Sequence, residues 1–228
     1  LDRNERVDDL PRHVIADILG KLPPHCFTAS PEAETLYEAI SENLEVNINQ
    51  VFVTNGITEG IRVLYDFCCE PGDNVVCLHP TYPMYEIYAG MYNVEYRKFV
   101  YNTDTLFPAL ESLDRNLDEK TRLLFIANPN LPIESFFSIP ELEELANRCR
   151  ETSTLLVVDE AYHYFGAPSS VELIENHENQ GTKCRKGSET LTNRSGIKSL
   201  IDTGVLILKP PLRSGPGSHK SAPCLPRQ

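Results

Sequence analysis

The stretch TRLLFIANPNLPIESFFSIPELEELANRCRETSTLLVVDEAY, residues 121–162, decides the fold. Two apolar runs in it, Thr121–Ala127 and Thr154–Asp159, are typical of buried strands. Between them Ser138 and Glu141, with a proline near the helix start, form a capping-box pattern that predicts a helix. Because parallel strands need a crossover helix and are buried on both faces, this strand–helix–strand unit predicts a parallel sheet.

The same alternation continues toward the N-terminus of the chain. Predicted helices lie at 30–42, 58–69 and 82–91, and predicted strands at Val51–Thr54, Val75–Leu78 and Val94–Val100. Ser30 and Pro31 supply an N-cap and a first-turn proline for the first of these helices. We therefore expect an α/β fold with a mostly parallel sheet that helices cover on both faces.

Composition divides the 228-residue chain after residue 180. Residues 181–228 hold 9 of the 21 Lys and Arg, 2 of the 33 Asp and Glu, and none of the 10 Tyr and 9 Phe. A segment without aromatics and broken by Gly, Ser and Pro buries little apolar area, so we predict a basic tail of low order. Only Ile197–Ile201 and Val205–Leu208 are apolar enough to be ordered. A basic interaction tail is the alternative interpretation.

Charge and hydropathy exclude several classes of partner. The net charge of −12 disfavours nucleic acid and anionic membranes, and no apolar stretch approaches the roughly 20 residues of a membrane helix. No signal peptide is visible and the 7 cysteines are too scattered for a disulfide scaffold, so we expect a cytoplasmic protein. Cys68, Cys69, Cys77 and His79 lack the spacing of a zinc site, so no metal site is predicted.

The candidate site follows from the predicted sheet. Ligands of open parallel sheets bind beyond the carboxyl ends of the strands, so the segments that follow each strand are the ones to consider. These segments are Asn55–Gly60, His79–Tyr85, Asn128–Asn130 and Asp159–Tyr162. We expect all four on one edge of the sheet.

Taken together, these loops suit a flat, phosphorylated ligand. Backbone amides at a strand-to-helix junction such as Asn55–Gly60 can hold an anion with help from the helix dipole. Tyr82 can stack on a planar ring, and Asp159 ends a buried strand, where a carboxylate needs a cation or hydrogen-bond donors. Each feature alone is also compatible with a plain turn, a helix-start aromatic or a helix cap. The set matches pyridoxal phosphate, whose ring nitrogen takes an Asp as its partner.

A family resemblance rests on the order and spacing of five motifs. They are Asn-Gly-Ile-Thr-Glu-Gly-Ile (55–61), Pro-Gly-Asp (71–73), Pro-Thr-Tyr-Pro-Met-Tyr (80–85), Asn-Pro-Asn (128–130) and Asp-Glu-Ala-Tyr (159–162). In this register the chain resembles the class I/II, fold-type-I aminotransferases, which depend on pyridoxal phosphate, and above all their histidinol-phosphate aminotransferase group. Leu1–Glu5 is similar to the N-terminal strand of that group, so the resemblance covers roughly residues 1–180.

The resemblance implies an incomplete fold-type-I large domain at 51–180, preceded by an N-terminal segment and helix at 1–50. It implies that pyridoxal 5′-phosphate is bound by Gly56, Ile57 and Thr58 at the phosphate, Tyr82 by stacking, Asp159 at the ring nitrogen, and Tyr162 and Asn130 near the ring's phenolic oxygen. Asn4 and Glu5 would lie near the substrate. Family members act on amino acids and 2-oxo acids as homodimers with the sites at the interface.

Three positions depart from the family pattern. Leu131 stands where an Asn bonds the ring oxygen, so either Asn130 or Tyr162 would have to substitute. Ser30 stands where a Tyr reaches across the dimer to the phosphate. The catalytic Schiff-base lysine is not identifiable. The lysines nearest its expected place are Lys183, Lys186 and Lys198, and none of them follows an apolar strand or a serine. We therefore interpret the chain as truncated or frame-shifted, an aminotransferase front part joined to unrelated sequence.

Three functions are compatible with these residues. The first is a PLP-dependent transaminase that moves an amino group between an amino acid or amino-phosphate ester and a 2-oxo acid. The second is a PLP-dependent decarboxylase of related fold. The third is a catalytically inactive remnant that lacks the Schiff-base lysine, for which an exposed sheet edge and apolar face predict poor solubility.

Overall fold

A computed structural model describes residues 8–29, 33–176 and 205–209 of the chain. The helices are α1 (Arg12–Lys21), α2 (Glu34–Leu44), α3 (Ile57–Cys68), α4 (Met84–Met91), α5 (Ile139–Glu151) and α6 (Glu172–Asn176). The strands are β1 (Asn74–His79), β2 (Glu95–Val100), β3 (Thr121–Ala127), β4 (Leu155–Asp159) and β5 (Val205–Leu208). Short 3-10 helices lie at Pro24–Phe27, Ile48–Gln50, Leu110–Arg115 and His163–Phe165. Among the described helices none is both long and apolar enough to cross a membrane.

The five strands form one sheet in the order β2-β1-β3-β4-β5, and every neighbouring pair is parallel. This arrangement confirms the predicted parallel α/β fold. The chain moves outward from β1 to β2 and then crosses back over β1 to β3, so the direction of winding reverses between β1 and β3. Such a switch point opens a crevice at the carboxyl edge, where open α/β sheets bind ligands.

Local sequence signals explain the central unit. Strand β3 has the predicted bounds and is buried along its full length. Helix α5 begins after Ser138, whose amide and hydroxyl both donate to the Glu141 carboxylate, at 2.7 and 2.6 Å. The capping box predicted there is therefore present, and it satisfies donors that the first turn of a helix leaves unpaired.

The side chains of the central strands alternate between two apolar layers, as the two-residue period of a strand requires. One layer packs against α3 and α4 and takes Val75, Cys77, Leu123, Phe125, Leu155 and Val157 from the sheet. The other packs against α5 and takes Val76, Leu78, Leu124, Ile126, Leu156 and Val158. Both faces of the sheet are covered, which is why these strands carry continuous apolar runs.

Two predictions about individual segments need correction. Val51–Thr54 is not a strand of the sheet, because the Val53 amide donates to the Tyr37 hydroxyl, 3.2 Å away, and no described strand pairs with the segment. The helix predicted from residue 30 begins at Glu34 within the described residues. The predictions for Asn4, Glu5, Ser30, Pro31 and for 177–204 and 210–228 lie outside the described residues.

Strand β5 closes the described sheet beside β4, so one of the two apolar segments of the tail is ordered. The Glu160 amide donates to the Leu208 carbonyl at 2.7 Å. The Glu160 side chain is fully buried; it accepts hydrogen bonds from the amide and hydroxyl of Ser170 and from Lys209 Nζ, the last at 2.6 Å. A Cβ added at Gly60 would lie 3.3 Å from Leu208, so α3 packs closely over this strand.

We expect Lys209→Met to lower the free energy of unfolding by about 3 kcal/mol, because it leaves the buried Glu160 carboxylate without its cation. The matched control is Lys98→Met on the exposed side of β2, which should change stability by less than about 0.5 kcal/mol. Urea unfolding followed by circular dichroism measures both. Equal losses in the two variants would show that the Glu160–Lys209 pair does not hold β5.

Candidate cofactor site

A cavity of about 470 Å³ opens at the carboxyl edge of the sheet, at the switch point between β1 and β3. Residues from all four predicted loops line it: Ile57, Thr58, Thr81, Tyr82, Pro83, Ala127, Pro129, Asn130, Leu131, Pro132, Asp159, Ala161 and Tyr162. The fold therefore brings the predicted segments together around one space.

Asp159 is the buried acid of this cavity, with 4% of its surface exposed. Its Oδ2 accepts a hydrogen bond of 2.6 Å from the Tyr85 hydroxyl, and its Oδ1 accepts one of 2.9 Å from the Ala161 amide. Burial raises the pKa of Asp159, and the two donors oppose that rise while the nearby Glu160 adds to it. In the part of the chain that the structure describes, no cation forms an ion pair with Asp159.

The start of α3 supplies the predicted anion-binding amides. Gly56 has a φ of 80°, which glycine adopts without strain, and so turns the chain into the helix. Its own amide already donates to the Thr54 carbonyl at 2.8 Å. The amides of Ile57 and Thr58 belong to the first helical turn, whose N–H groups have no acceptor within the helix. Of the three amides predicted to hold a phosphate, that of Gly56 already has an acceptor within the chain, and Gly56 shapes the turn into the helix.

Tyr82 is 40% exposed and lines the same cavity. Its hydroxyl lies 3.1 Å from the Thr58 hydroxyl, which ties the aromatic side chain to the helix start. Its ring meets the ring of Tyr85 edge-on, at an interplanar angle of 86° and a centroid distance of 5.8 Å. The two tyrosine rings therefore do not stack face to face on each other.

Asn130 lines the cavity, but its side chain makes its hydrogen bonds to other groups of the protein. Its Nδ2 donates both hydrogens, to the Pro80 carbonyl at 2.8 Å and to the Tyr101 hydroxyl at 2.9 Å. Its Oδ1 accepts from the Thr81 hydroxyl at 2.6 Å. An amide group has two donor hydrogens, so Asn130 has none left for a ring oxygen. Tyr162, the other substitute considered for Leu131, is half-buried and lines the cavity.

The cavity has no basic residue among those that line it in the described chain. Lys183, Lys186 and Lys198 lie outside the described residues. The described lysine nearest this edge is Lys209, directly after β5, and its ammonium is engaged by Glu160. Within residues 8–29, 33–176 and 205–209, no cluster of His, Cys, Asp or Glu could hold a metal ion.

Sequence reasoning missed two residues near this site. Tyr85 is the last residue of the motif at 80–85, but its bond to Asp159 joins positions far apart in the chain. Lys209 directly follows the apolar segment Val205–Leu208, at a longer spacing from Asp159 than the family pattern predicts. A lysine directly after an apolar run is the sequence signal that marks this position.

The residues present fit pyridoxal phosphate. First-turn amides suit a phosphate, an aromatic side chain suits a pyridine ring, and a buried carboxylate without a described counter-cation suits a protonated ring nitrogen. We call Ile57, Thr58, Tyr82 and Asp159 the cofactor platform. The fold and this platform define an α/β domain of the type that holds a phosphorylated ring cofactor.

A family model for aminotransferase class I and II matches residues 28–200, and the chain belongs to that family. Membership confirms the resemblance found in the five motifs and implies pyridoxal phosphate as the cofactor. The histidinol-phosphate aminotransferase of Bacteroides thetaiotaomicron is 36% identical over 158 residues, which cover 68% of this chain and 44% of that protein. The histidinol-phosphate aminotransferase 2 of Bacillus cereus is 28% identical over 159 residues, 68% of this chain and 43% of that one.

Solved structures share the fold. A PLP-dependent aminotransferase from Streptococcus suis is 27% identical, with a TM-score of 0.57 over 72% of this chain and 44% of that chain. A mutant aspartate aminotransferase of Thermus thermophilus shares the fold at 24% identity, with a TM-score of 0.57 over 69% of this chain and 44% of that one. The chain thus spans less than half the length of the curated relatives it matches.

We expect Asn130→Ala to destabilise the protein by about 2 kcal/mol, because it removes a fully buried amide and the hydrogen bonds that this amide makes with the half-buried Pro80 carbonyl and Thr81 hydroxyl. Asn147→Ala, on the exposed face of α5, is the matched control and should cost less than about 0.5 kcal/mol. Thermal unfolding compares the two. A loss no larger than that of the control would contradict a structural role for Asn130.

Proposed function

We propose that this chain carries the cofactor platform of a PLP-dependent aminotransferase of the histidinol-phosphate type. The whole protein would transfer an amino group between an amino acid or amino-phosphate ester and a 2-oxo acid. Relatives named histidinol-phosphate aminotransferase support this substrate class, at up to 36% identity among those compared. We further propose that the full-length protein is a cytoplasmic homodimer.

The observation that carries the proposal is the burial of Asp159 beside the cavity. A buried carboxylate is costly unless a cation or donors compensate it. Two hydrogen-bond donors offset part of the cost of burying Asp159, and burial still raises the pKa of this carboxylate. A cationic ring nitrogen placed against this carboxylate would supply the missing compensation.

Each platform residue then has a defined task. Pyridoxal phosphate, when bound, supplies a ring that accepts electrons from the substrate's Cα. Asp159 would hold the proton on the ring nitrogen, the Tyr82 ring would fix the plane of the cofactor, and the amides of Ile57 and Thr58 would bind its phosphate. Tyr162 would donate to the phenolic oxygen, and Asn130 would hold the loop that carries Leu131. Asn4 and Glu5 stay predictions for substrate binding.

We expect Asp159→Asn to weaken pyridoxal phosphate binding by roughly 10- to 100-fold, because a charge-assisted hydrogen bond to the ring nitrogen is lost. The matched control is Asp104→Asn in an exposed loop, which should bind like the unmodified chain. Equilibrium dialysis of the purified chain measures the affinities. Equal affinities for the unmodified chain and Asp159→Asn would refute the proposed role of Asp159.

A second candidate function is a platform that binds the cofactor without bonding to it. The contact between Lys209 and Glu160 favours it, because a lysine Nζ held at 2.6 Å by a buried carboxylate is not free to attack an aldehyde. Under this second candidate function the chain would be the inactive remnant, and Lys209 would hold β5 beside β4.

Borohydride reduction after incubation with pyridoxal phosphate tests this second candidate, since it traps any bond between a lysine amine and the cofactor's aldehyde. We expect peptide mapping by mass spectrometry to find Lys209 unmodified and no single dominant site. Surface lysines such as Lys21 and Lys120 give the background level. One lysine modified far above that level would show that the chain forms the covalent bond, and would favour full aminotransferase chemistry.

A further inference from the structure

Tyr85 is buried beneath the cavity and has no solvent-exposed surface. Its ring stacks on Phe125 of β3 at a centroid distance of 4.7 Å and an interplanar angle of 16°. Its carbonyl accepts a 2.7 Å hydrogen bond from the Tyr65 hydroxyl. Both the ring and the backbone of Tyr85 are therefore held by the core, and its hydroxyl occupies a fixed position.

That hydroxyl is 2.6 Å from Asp159 Oδ2, while the Ala161 amide is 2.9 Å from Oδ1. One donor on each oxygen fixes the plane of the carboxylate. Each carboxylate oxygen has two lone pairs, so this arrangement leaves one lone pair on each oxygen to accept a further donor. A ring N–H entering the cavity would be that donor.

We propose that Tyr85 is a positioning residue of the cofactor site: its hydroxyl orients the Asp159 carboxylate toward the ring nitrogen and favours the ionised form of that carboxylate. This inference rests on the function proposed above. Tyr85 does not line the cavity, so it acts on the cofactor only through Asp159.

The electrostatics of the pair agree with this role. Burial, and then the neighbouring Asp159, raise the pKa of Tyr85 well above its usual value, so its hydroxyl stays a donor across the working pH range. The same hydrogen bond lowers the pKa of Asp159 against the rise that burial causes. Removing the hydroxyl must therefore raise the pKa of Asp159 further.

Other titratable groups surround the pair. They are Cys77 and Tyr82 beside Tyr85, Glu160 beside Asp159, and Lys209 and His163 next to Glu160. Burial raises the pKa of Cys77 well above its usual value, so this thiol stays neutral. Lys209 pairs with Glu160 and reduces the effect of that charge on Asp159. All of these groups are unchanged in a variant that removes only the Tyr85 hydroxyl.

The test measures the affinity of the purified chain for pyridoxal phosphate as a function of pH, in the unmodified chain and in Tyr85→Phe. Binding needs ionised Asp159, so affinity should fall as the pH drops through the pKa of this carboxylate. In Tyr85→Phe we expect that fall at a pH about one unit higher, since a hydrogen bond to a charged group is worth about that much. Tyr88→Phe, which removes the hydroxyl of another buried tyrosine of α4, is the matched control and should leave the profile unchanged.

A double-variant comparison separates this role from a purely structural one. In an Asp159→Asn background, Tyr85→Phe should cause no further change in the pH profile, because the group on which the hydroxyl acts is gone. An unshifted profile in Tyr85→Phe, or the same shift in both backgrounds, would overturn the proposal. A Tyr85→Phe chain that failed to fold would also overturn it, because the hydroxyl would then be serving the core. Failure of the proposed function would differ from all of these, since the unmodified chain itself would not bind pyridoxal phosphate.

Discussion

The site depends on one constraint, the burial of the Asp159 carboxylate at the end of a strand inside an apolar sheet. Moving an ionised carboxylate away from water is unfavourable unless donors or a cation replace the lost hydration. Tyr85 and Ala161 replace part of it. The part of the hydration that is not replaced shows as a raised pKa of Asp159. A positive charge placed beside this carboxylate would therefore be stabilised. A cationic ligand can gain this stabilisation.

The neighbouring Glu160 carboxylate is buried as well, but groups of the protein replace its lost hydration. Glu160 is also fully buried, but its carboxylate receives two bonds from Ser170 and the ammonium of Lys209. Successive side chains at the end of a strand point to different sides of the sheet. The Glu160 carboxylate is therefore neutralised by groups of the protein, whereas the Asp159 carboxylate borders the cavity. The compensated acid fastens β5 beside β4, and β5 in turn packs under α3 at Gly60. The structural acid thereby helps to place the helix start that would bind the phosphate.

Sequence alone predicted the features that arise from local pattern. Thr121–Ala127 has its predicted bounds because burial on both faces leaves an unmistakable apolar run, and Ser138 caps α5 because the capping box is a four-residue signal. Asp159 was found because it ends such a run. The task of Asn130 could not be predicted, since its partner Thr81 lies 49 residues away in sequence. Val51–Thr54 was wrongly predicted as a strand because β-propensity says nothing about the availability of a partner strand.

Charge balance indicates how much of a complete site the platform supplies. A helix N-terminus provides roughly half a positive charge, whereas a phosphate monoester carries about −1.5 to −2 at neutral pH. The cavity lining described here adds no Lys or Arg, so roughly one negative charge of the cofactor stays uncompensated at α3. The chain covers only about 44% of a relative such as the Bacteroides thetaiotaomicron protein. A platform that neutralises the charge of the ring nitrogen but not that of the phosphate should orient the cofactor well and bind it weakly. Tight binding therefore requires further cations near the phosphate.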